Sequence, residues 1–535
     1  MISREGKRDW ILLLTISLVL LYFTLLAVYR LTLHPLAKYP GPFWSKVSSW
    51  PGFFQVFSGS RHLEAWRQHE TYGPIVRIAP DTLAFNTVSS IKGLFGPRKL
   101  NVQKSDWYRT LHAAHGGHSV HSEVNREKHA FRRRVIEHAF SESALKSAEP
   151  FITENVRTWC KHLGTDTEPD GWTAPKNMDD WSNYLSYDIM GDLTFGKRFN
   201  CMESDEHRYV PVLMLSSSNF LYTIGHLPFI RFIRPFLRSG LTKLIAGKSA
   251  ESQTKFSDYA RQQMALRLQA VASDMIKDSR KDLTHYLFNA RDPQTGRGFD
   301  WGDLGAESAL LISAGSDTTA VALSATIFYL LHYPMTLIKA EAEVRSAFVS
   351  VDEIRGKGRL NSLTYLRACI DEALRLNAPV PSYLLRDVLP GGISVGDDYF
   401  SHGITLGTSA YAIHHNSDYF PDPFTFIPER WIADDGDDGH NRVMRARSAF
   451  FAFSAGSRGC VGKNLAYLEL LIALGTLLFT FDMRLPVGLK ERQPSGEGSP
   501  DSKHIGRRRT NEYQFVDQFL PRREGPMVQF RKRII

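Results

Sequence analysis

The stretch FSAGSRGCVG, Phe453 to Gly462, sets one cysteine among three glycines and an arginine, directly ahead of the apolar run LAYLELLIALGTLLF. That run reads as a helix starting at Gly462 or Lys463 and ending near Phe481. Loop N–H groups and a helix N-terminus both favour a thiolate, so Cys460 is placed to ionise and to bind a soft metal. Gly456, Gly459 and Gly462 permit the tight backbone such a loop needs.

The other cysteines, Cys160, Cys201 and Cys369, lie far away in sequence, which argues against a disulfide-stapled fold and against a Cys-x-x-Cys zinc site. A metal that brings four ligands of its own needs only one from the protein, and heme iron is such a metal. The pattern Phe453-x-x-Gly456-x-Arg458-x-Cys460-x-Gly462 resembles the heme-binding loop of the cytochrome P450 family. Five fixed positions recur by chance in a chain of this length on the order of once in ten thousand. The resemblance implies Cys460 as axial ligand of heme b, with Phe453, Gly456, Arg458 and Gly462 around the cofactor.

Further stretches agree with it in order and spacing. Glu372-Ala-Leu-Arg375 puts a carboxylate and a guanidinium on one helical face, and Pro428-Glu-Arg430-Trp supplies a second arginine. Most Glu-x-x-Arg pairs are solvated helix faces, but ahead of the cysteine loop Glu372, Arg375 and Arg430 resemble the family's Glu-Arg-Arg triad, whose implied role is to position that loop. Ala314 to Thr319, AGSDTT, interrupts the long apolar pattern Asp303 to Tyr333 with residues disfavoured inside helices. It resembles the family's oxygen-activation motif. Asp317 and Thr318 are then implied to order water and deliver protons, and Gly315 to leave space and a helix distortion beside the heme. HAFRRR, His129 to Arg134, resembles the helix whose aromatic-x-x-x-Arg pair grips a heme propionate, which implies Arg133, with His129 where tryptophan often stands. Arg386 and Arg458 match further propionate arginines.

The remaining chain bounds the reading. At 535 residues with Lys+Arg 65 against Asp+Glu 56, the composition is globular and the net charge of +9 modest. Such a surface suits an acidic partner or anionic lipid, and no zinc-finger or RNA-binding signature points to nucleic acid. Trp10 to Tyr29 carries no charge and as a helix spans roughly 30 Å, a membrane anchor rather than a cleaved signal, since no small-x-small site follows. Flanking charges barely set its orientation. The expected organisation is a tail and anchor over 1–30, a Pro-rich hinge over 31–45 and one catalytic domain over 46–535. That domain is mostly α with small β-sheets, and IVRIAPDTLAF, Ile75 to Phe85, reads as a hairpin. ADDGDDGHNR, Ala433 to Arg442, reads as a surface loop, and HLPFIRFIRPFLRSG, His226 to Gly240, as an element dipping into lipid. His112, His115, His118 and His121 recur every third residue, but Gly116 and Gly117 break the helix that would align them as metal ligands.

The resemblance implies a monooxygenase of the membrane-bound fungal type. Such an enzyme inserts one oxygen atom of O2 into a lipophilic molecule, by hydroxylation or epoxidation, in secondary-metabolite biosynthesis or xenobiotic oxidation. Electrons are implied to come from NADPH through NADPH-cytochrome P450 reductase, with cytochrome b5 as a further donor, because the chain has no Gly-rich dinucleotide fingerprint. The implied location is the endoplasmic reticulum membrane, single-pass, with a cytosolic catalytic domain. Leu310, Leu311, Val380, Leu384 and Phe519 are apolar candidates for the substrate pocket. Two alternatives stay open: a heme-thiolate isomerase or dehydratase that needs no reductase, and a non-catalytic heme-binding membrane protein.

Overall fold

A computed structural model of the chain describes residues 4–96, 100–111, 118–235, 241–272, 280–434 and 436–534. His112, His115 and residues 236–240 of the arginine-aromatic stretch lie outside them. The longest core element is the central helix Trp301–His332. Asp300 caps it by accepting from the Asp303 N–H at 2.8 Å, and Pro334, which lacks a donor, follows its end. Its apolar residues run around the cylinder, so it buries most faces against the helices Met178–Phe195, Leu241–Ala272, Thr364–Leu376 and Lys463–Thr480.

A five-stranded sheet flanks this helical body. Its strands are β1 (Ile75–Ala79), β2 (Thr82–Phe85), β3 (Val102–Lys104), β4 (Tyr383–Val388) and β5 (Thr405–Ser409), in the spatial order β1-β2-β5-β4-β3. β1 and β2 form the expected antiparallel hairpin, Ile75 opposite Phe85. β2 runs parallel to β5, Thr82 opposite Thr405, and β4 carries Arg386 from the sheet towards the helices.

Among the described residues three helices are long and apolar enough to cross a membrane. The central helix and Lys463–Thr480 are 78% and 72% buried inside the protein, so their apolar surface is core. Arg8–Leu33 has mean hydropathy 2.7 and none of it is buried, which leaves lipid as the medium that suits it. The connector behind it is held by hydrogen bonds. Fully buried Arg77 donates to the Arg30 carbonyl at 2.7 Å and accepts nothing in return, while its own backbone N–H binds the Pro40 carbonyl.

The acidic stretch Ala433 to Arg442 is not wholly a loop. A helix begins inside it at Asp437 and runs to Ala449, because Val443, Ala446 and Ala449 recur every third residue and bury one face. The polar half of that helix hid the stripe.

Candidate active site

The cysteine loop is closed by the Cys460 N–H donating to the Phe453 carbonyl at 2.9 Å. Of its three glycines only Gly456 needs to be one. It sits at φ 63°, and a Cβ there would collide with the carbonyl oxygens of Phe95 and Gly96. Gly459 and Gly462, at φ −61° and −82°, use ordinary backbone, so the expected conformational demand falls on one glycine. Gly456 turns the loop and does not line the cavity, whereas Phe453, Arg458, Cys460 and Gly462 do.

Cys460 is exposed, but to an internal cavity. Burial pushes its thiol up, and the N–H groups of Gly462 and Lys463 with the Arg133 charge pull it back down. The expected helix-terminus effect is therefore present but does not by itself outweigh burial. The cavity is about 400 Å³, within the roughly 300–1,000 Å³ usual for ligand pockets.

One end of this cavity is a crowd of cations. Lys104, His121, His129, Arg133, Arg386 and Arg458 all line it. Arg133 is partnered, donating to Glu137 at 2.6 Å and to the Gly459 carbonyl at 2.6 Å. Among the described residues Lys104, Arg386 and Arg458 have no ion-pair partner; Lys104 donates to the His121 carbonyl, Arg386 to the Leu385 carbonyl and Arg458 to the carbonyls of Glu123 and Val124. Burial, then Arg386, brings Arg458 down to about 9, and burial with both arginines holds Lys104 well below its usual range. Burial and the same cations keep His129 neutral. Buried cations without anions demand carboxylates from a ligand. A thiol at the cavity wall and a cationic socket beside it fit heme b, which offers iron to the one and two propionates to the other.

The central helix forms the facing wall. Ala314, Gly315, Thr318 and Thr319 line the cavity, and the Thr318 hydroxyl donates to the Ala314 carbonyl at 2.6 Å. The helix runs through this motif without interruption. The space Gly315 leaves is taken by Met190, whose sulfur and Cε would be 2.7 Å from an added Cβ. Asp317 turns off the cavity wall. Its Oδ1 lies 3.8 Å from Arg523 Nη1, and its Oδ2 is buried without a hydrogen bond.

Glu372, Arg375 and Arg430 meet in one cluster. Arg375 donates to both carboxylate oxygens of Glu372 at 2.9 Å each, and Arg430 Nε to Glu372 Oε1 at 3.2 Å. Trp431 Nε1 and the Ile427 N–H also donate to that carboxylate. All three members are buried. His414 links the triad to the loop region, its Nδ1 donating to the Arg375 carbonyl and its Nε2 accepting from the Phe451 N–H.

Leu310, Leu311, Val380, Leu384 and Phe519 all line the cavity. Sequence reasoning missed Lys104, Arg523 and Glu469, and read His121 only as one of the regularly spaced histidines. Glu469 had a signal, as the one acid in an otherwise apolar helix, and it lines the cavity with Oε2 unpartnered. Burial pushes it up to about 8, against a hydrogen bond with Thr319.

A sequence profile of the family described as Cytochrome P450 matches residues 40–501. The chain is 35% identical over 522 residues to the cytochrome P450 monooxygenase fscF of Fusarium equiseti, covering 96% of this chain and 95% of that one. It is 36% identical over 526 residues to the cytochrome P450 monooxygenase AKT7 of Alternaria alternata, covering 96% of each. The solved heme domain of cytochrome P450DA shares the fold, with TM-score 0.71 over 93% of this chain and 98% of that one, at 16% identity. With relatives of this kind matched end to end, the chain belongs to the cytochrome P450 family and is a heme-thiolate monooxygenase that carries heme b and draws electrons from a reductase.

Proposed function

We propose that the chain oxidises a lipophilic small molecule lying between the cysteine loop and the central helix. The observation that carries the reading is the meeting, in one cavity, of a lone cysteine, a cationic socket whose Lys104, Arg386 and Arg458 lack an ion-pair partner among the described residues, and a hydroxyl on the opposite helix. Cys460 would hold the iron, and Arg386, Arg458, Lys104 and Arg133 the propionates, with His129 packed beside them. When bound, heme b supplies the activation of dioxygen that no side chain can perform.

The chain's own residues do the rest. Leu310, Leu311, Val380, Leu384 and Phe519 exclude water and orient an apolar substrate by shape. Thr318 Oγ1 can release the Ala314 carbonyl and order a water in the cavity. Asp317 Oδ2, buried and without a partner, holds a proton on the far side of the same helix turn and passes it inward when the carboxyl rotates from Arg523. An isomerase or a passive heme carrier has no use for this pair.

The finer setting follows the same reading. Exposed Arg445, Arg447 and Lys463 near the cysteine loop suit an acidic donor such as NADPH-cytochrome P450 reductase or cytochrome b5. Trp50, Phe54, Phe57, Phe229 and Phe232 are exposed on one side, Trp50 packing on Phe229 at 5.6 Å, and suit a membrane face beside the anchor. We place the enzyme in the endoplasmic reticulum membrane with its domain in the cytosol.

The test is Thr318→Ala in reconstituted enzyme. NADPH consumption is expected to continue while product per NADPH falls, with the red-shifted Soret band of the reduced CO complex intact. Unchanged coupling, or turnover without NADPH, would defeat the reading.

A further inference from the structure

Beside the large cavity lies a second, much smaller one of about 20 Å³, bounded by the start of β4, the end of the helix Tyr209–Gly225, and the segments around Trp107 and Asp517. The two share Tyr108, Val380 and Phe519. Phe519 stands between them at φ 72°, an uncommon conformation for an aromatic residue, held by ring contacts with Trp107 at 5.3 Å and Tyr222 at 5.8 Å.

The small cavity has a largely apolar wall, and four of its polar atoms are unsatisfied. Arg61 Nε, Ser105 Oγ, Trp107 Nε1 and Tyr383 Oη are all buried without a hydrogen-bond partner. Each can donate, and burial raises the Tyr383 phenol, so it keeps its proton. Arg61 is 6% exposed and its Nη1 donates to His226 Nε2. That histidine is a neutral acceptor, since its Nδ1 donates to the Tyr222 carbonyl at 2.8 Å and burial beside Arg61 holds its pKa down. Arg61 thus has no carboxylate in ion-pair contact among the described residues.

One acid lines the pocket, Asp517, and its oxygens are already engaged. Oδ2 accepts from Ser382, with the Tyr222 hydroxyl at 3.5 Å, and Oδ1 accepts from the Phe519 N–H at 3.2 Å. The idle Nε of a buried guanidinium and three further idle donors around it leave a demand for acceptor oxygens.

We propose that this pocket binds the carboxylate head of an amphipathic acid substrate whose apolar body lies in the large cavity, with Arg61 as the principal contact. The proposal rests on the reading of the large cavity as the substrate site. It adds the substrate class, a lipophilic acid, which apolar lining alone does not supply. Phe519 marks where head and body part, and substrate entry turns on its side chain.

The probes are octanoate, dodecanoate and hexadecanoate, each against its methyl ester, titrated into the full-length holoenzyme. Binding is read from the Soret shift and, independently of the heme, from the thermal midpoint. A charge-assisted hydrogen bond predicts that at least one acid binds about tenfold or more tightly than its ester. Arg61→Met should abolish that preference. Should Arg61→Met fail to fold, the double variant Ser105→Ala, Tyr383→Phe removes only hydroxyls without protein partners and should cut the preference several-fold. No acid preference at any length, as for a pocket that holds water alone, overturns the proposal, and so does a preference that survives these variants. The reduced CO spectrum separates the two readings: losing the thiolate band fails the heme assignment, while the midpoint shifts still judge the pocket.

Discussion

Arg523 faces two carboxylates at once, Asp317 at 3.8 Å and Asp179 at 2.9 Å; Arg523 and Asp317 are buried and Asp179 is half-buried. Burial raises both acids, Asp179 to about 7, and Arg523 pulls each back. One guanidinium shared between two acids cannot hold both tightly, so the Asp317 side chain is the freer of the pair to rotate. Asp317→Asn removes the proton it can carry while keeping its shape. Turnover is expected to fall about a hundredfold or more, the range of general acid catalysis, with a larger solvent isotope effect and an unaltered CO spectrum. Turnover within threefold of wild type would remove Asp317 from the proton path.

Arg523→Gln frees both acids from their common cation and buries them unpaired. A loss of about 3–5 kcal/mol is expected from chemical denaturation, because removing one partner of a buried pair strands the other. The conservative Arg523→Lys should recover much of the stability but less of the turnover, since a point charge cannot serve Asp179 and Asp317 in the same geometry.

Glu372 accepts five hydrogen bonds, from Arg375, Arg430, Trp431 and the Ile427 N–H. Glu372→Gln leaves two buried guanidinium groups without an anion, again a cost of about 3–5 kcal/mol. The expected result is a chain that folds poorly and purifies without heme, measured by heme-to-protein ratio. Full heme content would show that the triad is dispensable for the cysteine loop.

The cationic socket gives a separate readout. Arg458→Leu and Arg386→Leu each remove one buried charge that awaits a carboxylate, and each should speed heme loss to an acceptor protein about tenfold or more. Arg133→Leu should do less, because Arg133 is already paired with Glu137. Its main effect is on the loop, through the lost bond to the Gly459 carbonyl.

These residues differ in how far the sequence alone discloses them. Cys460, Glu372 and the AGSDTT motif are legible because each is a short pattern whose chemistry is odd for its setting: a lone thiol before a helix, or polar groups inside an apolar one. The cationic socket is only half legible. Arg386 and Arg458 stand in recognisable stretches, but Lys104 ends a three-residue strand, and only pairing with β4 brings it beside Arg386. Arg523 sits in a basic terminal stretch and meets Asp317 by tertiary folding alone. Gly315 is legible as a small residue on the cavity wall, but that Met190 of another helix packs against it is a matter of tertiary folding. Orphaned donors such as Arg61 Nε leave no sequence trace, because being unpartnered is a property of the whole fold.

Glu469 yields a prediction in pH. Its ordinary value is 4.5 and burial raises it to about 8 in the folded chain, so between those limits the folded state binds the extra proton. Stability from this group is therefore complete below about pH 4.5 and is lost as pH rises to about 8, by up to about 1.4 kcal/mol per unit. Glu469→Gln keeps the shape and carries no proton to lose. Wild type and variant should match near pH 4.5, and the variant should become progressively the more stable one up to pH 8. Other raised acids, Asp179 and Glu307, titrate in both proteins and cancel in the difference. Urea midpoints at pH 5, 6.5 and 8 measure it. Parallel midpoints would mean that Glu469 is ionised throughout, and hence that the cavity supplies it with a partner, the cofactor's surroundings or water, strong enough to offset its burial.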